Sequence, residues 1–381
     1  MNSFSPFSPV DIRILTADKG EGAVRTMLTG EKKKILVLTT SSLCTRLSLA
    51  SFFTALQGDG HCLHLAADVA PTPSVEDVTA LLQRLRQQEF DPTIILAIGG
   101  GSVLDMAKAI SAFWHLPEFV NADDIRNAIH TKAYWQSPAF VDWIAMPTTA
   151  GTGSEVTPWA TIWDPQKARK LSIDSPGLFA KAAVILPKWT SSMPPALTLA
   201  TGLDVLSHAM ESFWANMRTP LSQALSLRAI ETARVALPKA IAHPQSDDAR
   251  QDMCVASLLA GLALSLTRTT ACHSISYPLT MFHGVPHGIA AALTLGEVMT
   301  RNREAVPEIA QIENLFTEDS GFACWLASVS ENTQPLRLSA FGIEEKHLPA
   351  IVDLTFTQGR MDNNPVLFTP DDVLEILHAC F

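Results

Sequence analysis

Thr93-Ile-Ile-Leu-Ala-Ile-Gly-Gly-Gly-Ser102 is the stretch on which the fold turns. Residues 93–98 form a short, unbroken run of β-branched and aliphatic side chains, the pattern of a buried strand. Three glycines follow, then a helical pattern over residues 103–113. Glycine lets the backbone come close to a ligand, and a helix begins with unpaired N–H groups and the positive end of its dipole. A strand, a glycine turn and a helix N-terminus in that order make a phosphate cradle; the simpler reading is a tight turn. The spacing is not GxGxxG, so the standard dinucleotide fingerprint is absent. Asp105 and Lys108 follow on the helix, where an i,i+3 ion pair is the plainest interpretation.

Outward from this stretch, strands are predicted over residues 11–15, 34–39, 61–66 and 142–146. Helices are predicted over 22–28, 42–56 and 74–88, the last capped by Ser74 with Asp77 three residues on. Strands alternating with helices indicate a parallel sheet covered by helices. After Pro194-Pro195 the texture changes to helical periodicity, with almost no strand candidates. The expected architecture is an α/β domain over residues 1–190 and an all-helical domain over residues 191–381.

With 381 residues, 47% of them hydrophobic, the chain has ample material for two cores. A net charge of −10 and the short Lys32-Lys33-Lys34 run leave no electrostatic footprint for nucleic acid or a membrane surface. Residues 1–10 lack the basic and apolar regions of a signal peptide, and no apolar run reaches membrane-spanning length. Six scattered cysteines without a CxxC pair read as reduced thiols of a cytoplasmic protein. Cys272 adjoins His273, and packing is its expected role.

Pro147-Thr-Thr-Ala-Gly-Thr-Gly-Ser-Glu155 follows another strand and offers a second cradle of hydroxyls and flexible backbone. Two such loops at strand ends suit a dinucleotide. In Thr201-Gly-Leu-Asp-Val-Leu-Ser-His208, Asp204 and His208 stand one helical turn apart on one face. They could share a divalent metal, or be a capping or salt-bridged carboxylate and a satisfied core histidine. His273 and His287 lie in one downstream segment, separated by Pro278, Gly284 and Pro286. They must therefore come from a helix and the start of the next element. His283, between them, is a competing candidate; as a loop residue it reads as facing solvent or as standing behind the ligands.

Taken together, Gly99-Gly-Gly-Ser102 with Asp105 and Lys108, the 147–155 loop, Gly202-Leu-Asp204 with His208 and Glu211, His273, and Pro286-His287-Gly288 resemble the iron-containing (group III) alcohol dehydrogenase family. The resemblance runs in order from about residue 34 to 300. It implies hydride transfer between NAD or NADP and a small aldehyde or primary alcohol, in a homodimer. It implies Fe²⁺, or Zn²⁺, held by Asp204, His208, His273 and His287, with Lewis acidity toward the substrate oxygen. The cofactor residues implied are Thr40, Gly99, Gly100, Gly101, Ser102, Asp105, Thr148, Thr149, Thr152, Ser154 and Lys170.

Two positions depart from the family pattern. Tyr277 stands where many members carry a further histidine, so it serves as a catalytic proton relay or merely packs. Thr40 stands where many have an aspartate that favours NAD, which leaves NADPH open. Arg268, upstream of His273, and Arg360, in Gly359-Arg-Met-Asp-Asn-Asn-Pro365, lie in regions similar to the branch that reduces phosphonoacetaldehyde. Arginine reads such anions, though each could be a structural ion pair. A neutral short-chain alcohol dehydrogenase, a dehydroquinate synthase-like lyase and a cofactor-binding relic are the alternatives.

Overall fold

A computed structural model describes residues 8–116, 121–137, 139–167, 169–356 and 359–381. The reading of the N-terminal segment as free of a leader falls mostly on residues 1–7, outside the described residues. The chain divides into two compact units: residues up to Thr149 with Ser154–Ser192, and Ala150–Gly153 with Met193–Phe381.

The first unit contains β1 (Asp11–Ile14), α1 (Ala17–Met27), β2 (Lys34–Leu38), α2 (Ser41–Arg46), α3 (Ala50–Gly58), β3 (Cys62–Ala66) and α4 (Val75–Gln87). It continues through β4 (Ile94–Gly99), α5 (Gly101–Phe113), α6 (Ala122–Thr131), β5 (Trp143–Pro147), β6 (Trp159–Asp164), β7 (Arg169–Asp174) and β8 (Ala182–Ile185). Six strands form a parallel sheet in the order β1-β8-β5-β4-β2-β3. Successive side chains of a strand alternate between faces. Leu36, Leu38, Ile95 and Ala97 join one core, with α4, α5 and α6. Ile35, Val37, Ile94, Leu96 and Ile98 join the other, with α1 and α3. Both faces are covered, which is why these strands are apolar throughout instead of alternating.

Three local expectations need correction. The helix predicted over 42–56 is two helices, because Ser48 takes a positive φ of 52° and stops α2. Glycine usually announces such a stop, and this one carries none. The helix after the glycines starts at Gly101, not residue 103, so Gly101 and Ser102 form its first turn. An antiparallel hairpin, β6 with β7, was not foreseen. β6 alternates buried and half-buried residues, a pattern too short to stand out from its surroundings.

The second unit is helical: α7 (Pro195–Trp214), α8 (Pro220–Ala242), α9 (Asp247–Thr267), α10 (Ala271–His283), α11 (His287–Leu293), α12 (Leu295–Asn302), α13 (Ala310–Leu315), α14 (Phe322–Ser330), α15 (Leu348–Asp353) and α16 (Pro370–Ala379). Every residue from Gly202 to Trp214 is buried, with α8, α9, α10 and α11 packed around α7. Residues 150–153, expected in the first domain, pack instead with the helices. A Cβ on Gly151 would lie 2.8 Å from Thr201 of α7. No single helix among the described residues is long and apolar enough to cross a membrane.

Candidate metal centre and phosphate cradles

α7 carries Asp204, His208 and Glu211 at positions i, i+4 and i+7, one stripe of a buried helix. α10 brings His273 beside them. Asp204 Oδ1 lies 3.6 Å from His208 Nε2 and 3.6 Å from His273 Nε2. One donor atom from each of the three residues falls within 4.8 Å of the others. The two imidazoles are stacked, with ring centroids 4.7 Å apart. His287, the first residue of α11, stands outside that group, its ring 5.2 Å from that of His273.

These buried polar atoms are not satisfied by the protein. Asp204 Oδ1, His273 Nε2 and His208 Nδ1 have no hydrogen-bond partner, a state that buried polar groups rarely tolerate. Asp204 Oδ1 and His273 Nε2 meet at one point, where a cation between them would satisfy both. A carboxylate oxygen with imidazole nitrogens suits Fe²⁺ or Zn²⁺. Burial opposes ionisation of Asp204, but His208, His273 and His287 outweigh it and hold the carboxyl well below its usual range. Burial likewise disfavours a charged His273, yet Glu211 and Asp204 push its pKa up to about 10.

Glu211 is the residue that sequence reasoning left without a role. It is fully buried and accepts from the Thr270 N–H (2.9 Å), the Thr270 hydroxyl (2.7 Å) and the His273 N–H (3.2 Å). Its other oxygen holds His273 Nδ1. A carboxylate on Nδ1–H fixes the tautomer, leaving the Nε2 lone pair for a metal. The 204, 208, 211 spacing was the signal available.

Tyr277 lies one turn beyond His273 on α10. Its ring stacks on His287 at 6.2 Å, and its hydroxyl accepts from Arg360 Nε at 3.2 Å. Arg268 caps the C-terminus of α9. Cys272 is buried. His283 ends α10 rather than lying in a loop, half-buried with its ring 5.6 Å from His347.

In the α/β unit the sheet order changes direction between β2 and β4, the place where open parallel sheets bind ligands outside the strand C-termini. Thr40 follows β2 there and caps α2. Gly99 ends β4, and a Cβ at that position would sit 2.4 Å from Val103 of α5, so the helix can start this close only above a glycine. Gly100 precedes α5 as its N-cap. Thr148 and Thr149 follow the adjacent β5, and a Cβ on Gly100 would come within 3.2 Å of Thr149. The two cradles are thus neighbours.

Several side chains expected to bind cofactor have internal partners. Ser102 Oγ donates to the Pro71 carbonyl. Asp105 accepts from Ser154 Oγ (2.8 Å) and Thr161 N–H (2.9 Å), so it organises the second loop. Thr152 sits within the 150–153 segment, and Lys170 lies on β7 opposite Trp163. Lys108 is fully buried, 3.8 Å from Asp105, and donates to Ser154 Oγ (2.7 Å), Thr157 Oγ1 (3.3 Å) and the Trp159 carbonyl (2.8 Å).

Burial lowers the Lys108 pKa from 10.5 to about 8, against the pull of Asp105 and Glu155. The folded protein then releases this proton earlier than the unfolded chain, so stability rises with pH between about 8 and 10.5. Relative to Lys108→Met, the wild-type melting temperature should gain as pH passes from 7.5 to 10. A gap that is flat or closes over that range contradicts the assignment.

Comparison with known proteins follows the same division. The family described as iron-containing alcohol dehydrogenase matches residues 17–187, and its C-terminal counterpart matches 198–381. The lactaldehyde reductase of Escherichia coli is 30% identical over 96% of this chain and 98% of that protein. This chain belongs to the iron-containing alcohol dehydrogenase family. The phosphonoacetaldehyde reductase of Streptomyces viridochromogenes is 38% identical over 61% of this chain and 58% of that protein. The crystal structure of sulfoacetaldehyde reductase from Bifidobacterium kashiwanohense in complex with NAD+ superposes with a TM-score of 0.84 at 28% identity, covering 98% and 97% of the two chains. As a member of this family the chain is an oxidoreductase of the alcohol dehydrogenase and aldehyde reductase type.

Proposed function

We propose that this enzyme reduces a small anionic aldehyde with a nicotinamide coenzyme at a centre formed by Asp204, His208, His273 and His287. The observation that carries the anionic substrate is Arg360. Its Nε is held by the Tyr277 hydroxyl and its Nη1 by the Gly359 carbonyl. Tyr277 stacks on His287, which in turn abuts His273. A guanidinium pre-oriented one aromatic ring beyond the ligand histidines suits a short aldehyde with a tetrahedral anion at its far end. The names of two relatives, one acting on a phosphonate and one on a sulfonate, support this reading. Lactaldehyde reductase, similar over nearly the full length, supports a neutral substrate instead.

A divalent metal, when bound, supplies Lewis acidity to the carbonyl oxygen. The chain's own residues do the rest. Glu211 aims His273, Tyr277 and Arg360 bind and orient the far end of the substrate, and buried α7 excludes water from behind the ligands. In the other unit, the Gly99-Gly-Gly-Ser102 turn and the N-terminus of α5 bind the coenzyme pyrophosphate, beside Thr148, Thr149 and Ser154. Thr40 in place of an acidic residue leaves room for either NADH or NADPH. Six free cysteines support a reducing, cytoplasmic setting, and family resemblance supports a homodimer.

The test is a panel of neutral and anionic aldehydes with NADH and NADPH after Fe²⁺ or Zn²⁺ loading. Arg360→Met is expected to raise KM for anionic aldehydes by about tenfold to a hundredfold, because it removes a charge-assisted hydrogen bond, with little change for neutral ones. Equal effects on both classes would favour a neutral substrate, and flat absorbance throughout would sink the oxidoreductase assignment for this site.

A further inference from the structure

Between α9 and α10 the chain turns through 108°. Arg268 sits in that turn at φ 62° and ψ 177°, backbone open to glycine and costly for any residue with a Cβ. An arginine stays there only if its neighbours hold it. Its N–H donates to the Leu264 carbonyl at 2.8 Å, and its carbonyl accepts from Thr267 Oγ1 at 3.1 Å. From 96 residues further along the sequence, the Asn363 side-chain amide donates to the Thr267 carbonyl at 2.8 Å. The same amide nitrogen reaches the Thr269 carbonyl at 3.0 Å. The two carbonyls flank Arg268, so one buried amide clamps both sides of the strained residue. Asn363 is itself anchored, its carbonyl accepting from the Asn216 N–H at 2.8 Å.

The turn delivers Thr270, whose N–H and hydroxyl both donate to Glu211. Glu211 in turn holds His273 Nδ1. We propose that Asn363 is a positioning residue of the metal centre. By clamping the carbonyls of Thr267 and Thr269 it keeps Arg268 in its strained turn, and so sets Thr270 and Glu211 against His273. Nε2 of His273 then faces Asp204. The inference rests on the reading of Asp204, His208 and His273 as metal ligands. It does not depend on the substrate.

The full chain carries the test, with zinc affinity read by competition with a chromogenic chelator and the melting temperature of the metal-free protein read alongside. Asn363→Ala is expected to weaken zinc binding by about tenfold, as loss of an outer support does. Arg268→Gly removes the backbone strain, because glycine adopts this backbone freely. In the Arg268→Gly background the clamp has less to hold. Adding Asn363→Ala there should change zinc affinity by no more than about threefold. Unchanged zinc affinity in Asn363→Ala overturns the proposal, and so does an equal loss in both backgrounds. Should Asn363→Ala not fold, the double variant decides: folded and binding zinc supports the clamp, and unfolded overturns it. No zinc binding by the wild type would instead remove the metal reading on which the proposal stands.

Discussion

His273→Ala should lower kcat/KM by about a thousandfold, the loss of several kcal/mol of charge stabilisation at the reacting oxygen. His273 is the candidate ligand with the most built around it. Its Nδ1 is held by Glu211, its Nε2 is orphaned 3.6 Å from Asp204 Oδ1, and its ring touches those of His208 and His287. Removing it leaves Asp204 and Glu211 buried, each short of a principal partner, so the remaining residues cannot re-form the centre by small shifts. Metal content after dialysis, measured by mass spectrometry, should fall in parallel with activity. A variant that keeps a full equivalent of metal and its activity would show that the centre lies elsewhere. His287→Ala offers a graded comparison. Because His287 stands outside the tight group of three, its loss should weaken binding less than that of His273.

Gly288→Ala should be the most damaging single methyl in the helical unit. A Cβ there would lie 1.9 Å from the Ala200 carbonyl oxygen and 2.8 Å from Asp204 Cβ, and neither a backbone carbonyl nor the buried Asp204 can yield. α11 would have to lift from α7, moving His287 away from Asp204. Overpacking of this kind costs about 3 kcal/mol or more. For a unit of this size that corresponds to a fall of roughly 10 °C in melting temperature. Calorimetry of the metal-free chain checks it, and a shift of less than about 2 °C would mean that the two helices separate without cost. The Pro286-His287-Gly288 motif thereby acquires a physical reason. The histidine needs its helix pressed onto α7, and only glycine permits that distance.

Much of the fold was legible because its signals are local. Residues 93–98 read as a buried strand since both faces of the sheet are covered. The glycines after them read as room for a ligand, whereas at Gly99 the neighbour that requires glycine is Val103 of α5. Ser74 with Asp77 forms the capping box that its spacing announced. Asp204 and His208 shared a face because helical geometry places i and i+4 together. The split of residues 42–56 was not legible, because Ser48 takes a positive φ that its residue type does not advertise. The β6–β7 hairpin was missed for want of a strong period.

The sequence alone determined the residue types and their order: strands and glycine turns first, helices after, and a carboxylate with three histidines at intervals that could converge. Those follow from short-range chemistry, since periodicity, caps and glycine turns act over a few residues. Only the tertiary structure decided which of these groups meet. Glu211 and Thr270 are 59 residues apart, Tyr277 and Arg360 are 83, and Thr267 and Asn363 are 96. Contacts at that separation depend on how whole helices pack, which no local pattern encodes. Packing placed His273 within reach of Asp204 and put His287 at its margin. It also set Glu211 against His273 Nδ1.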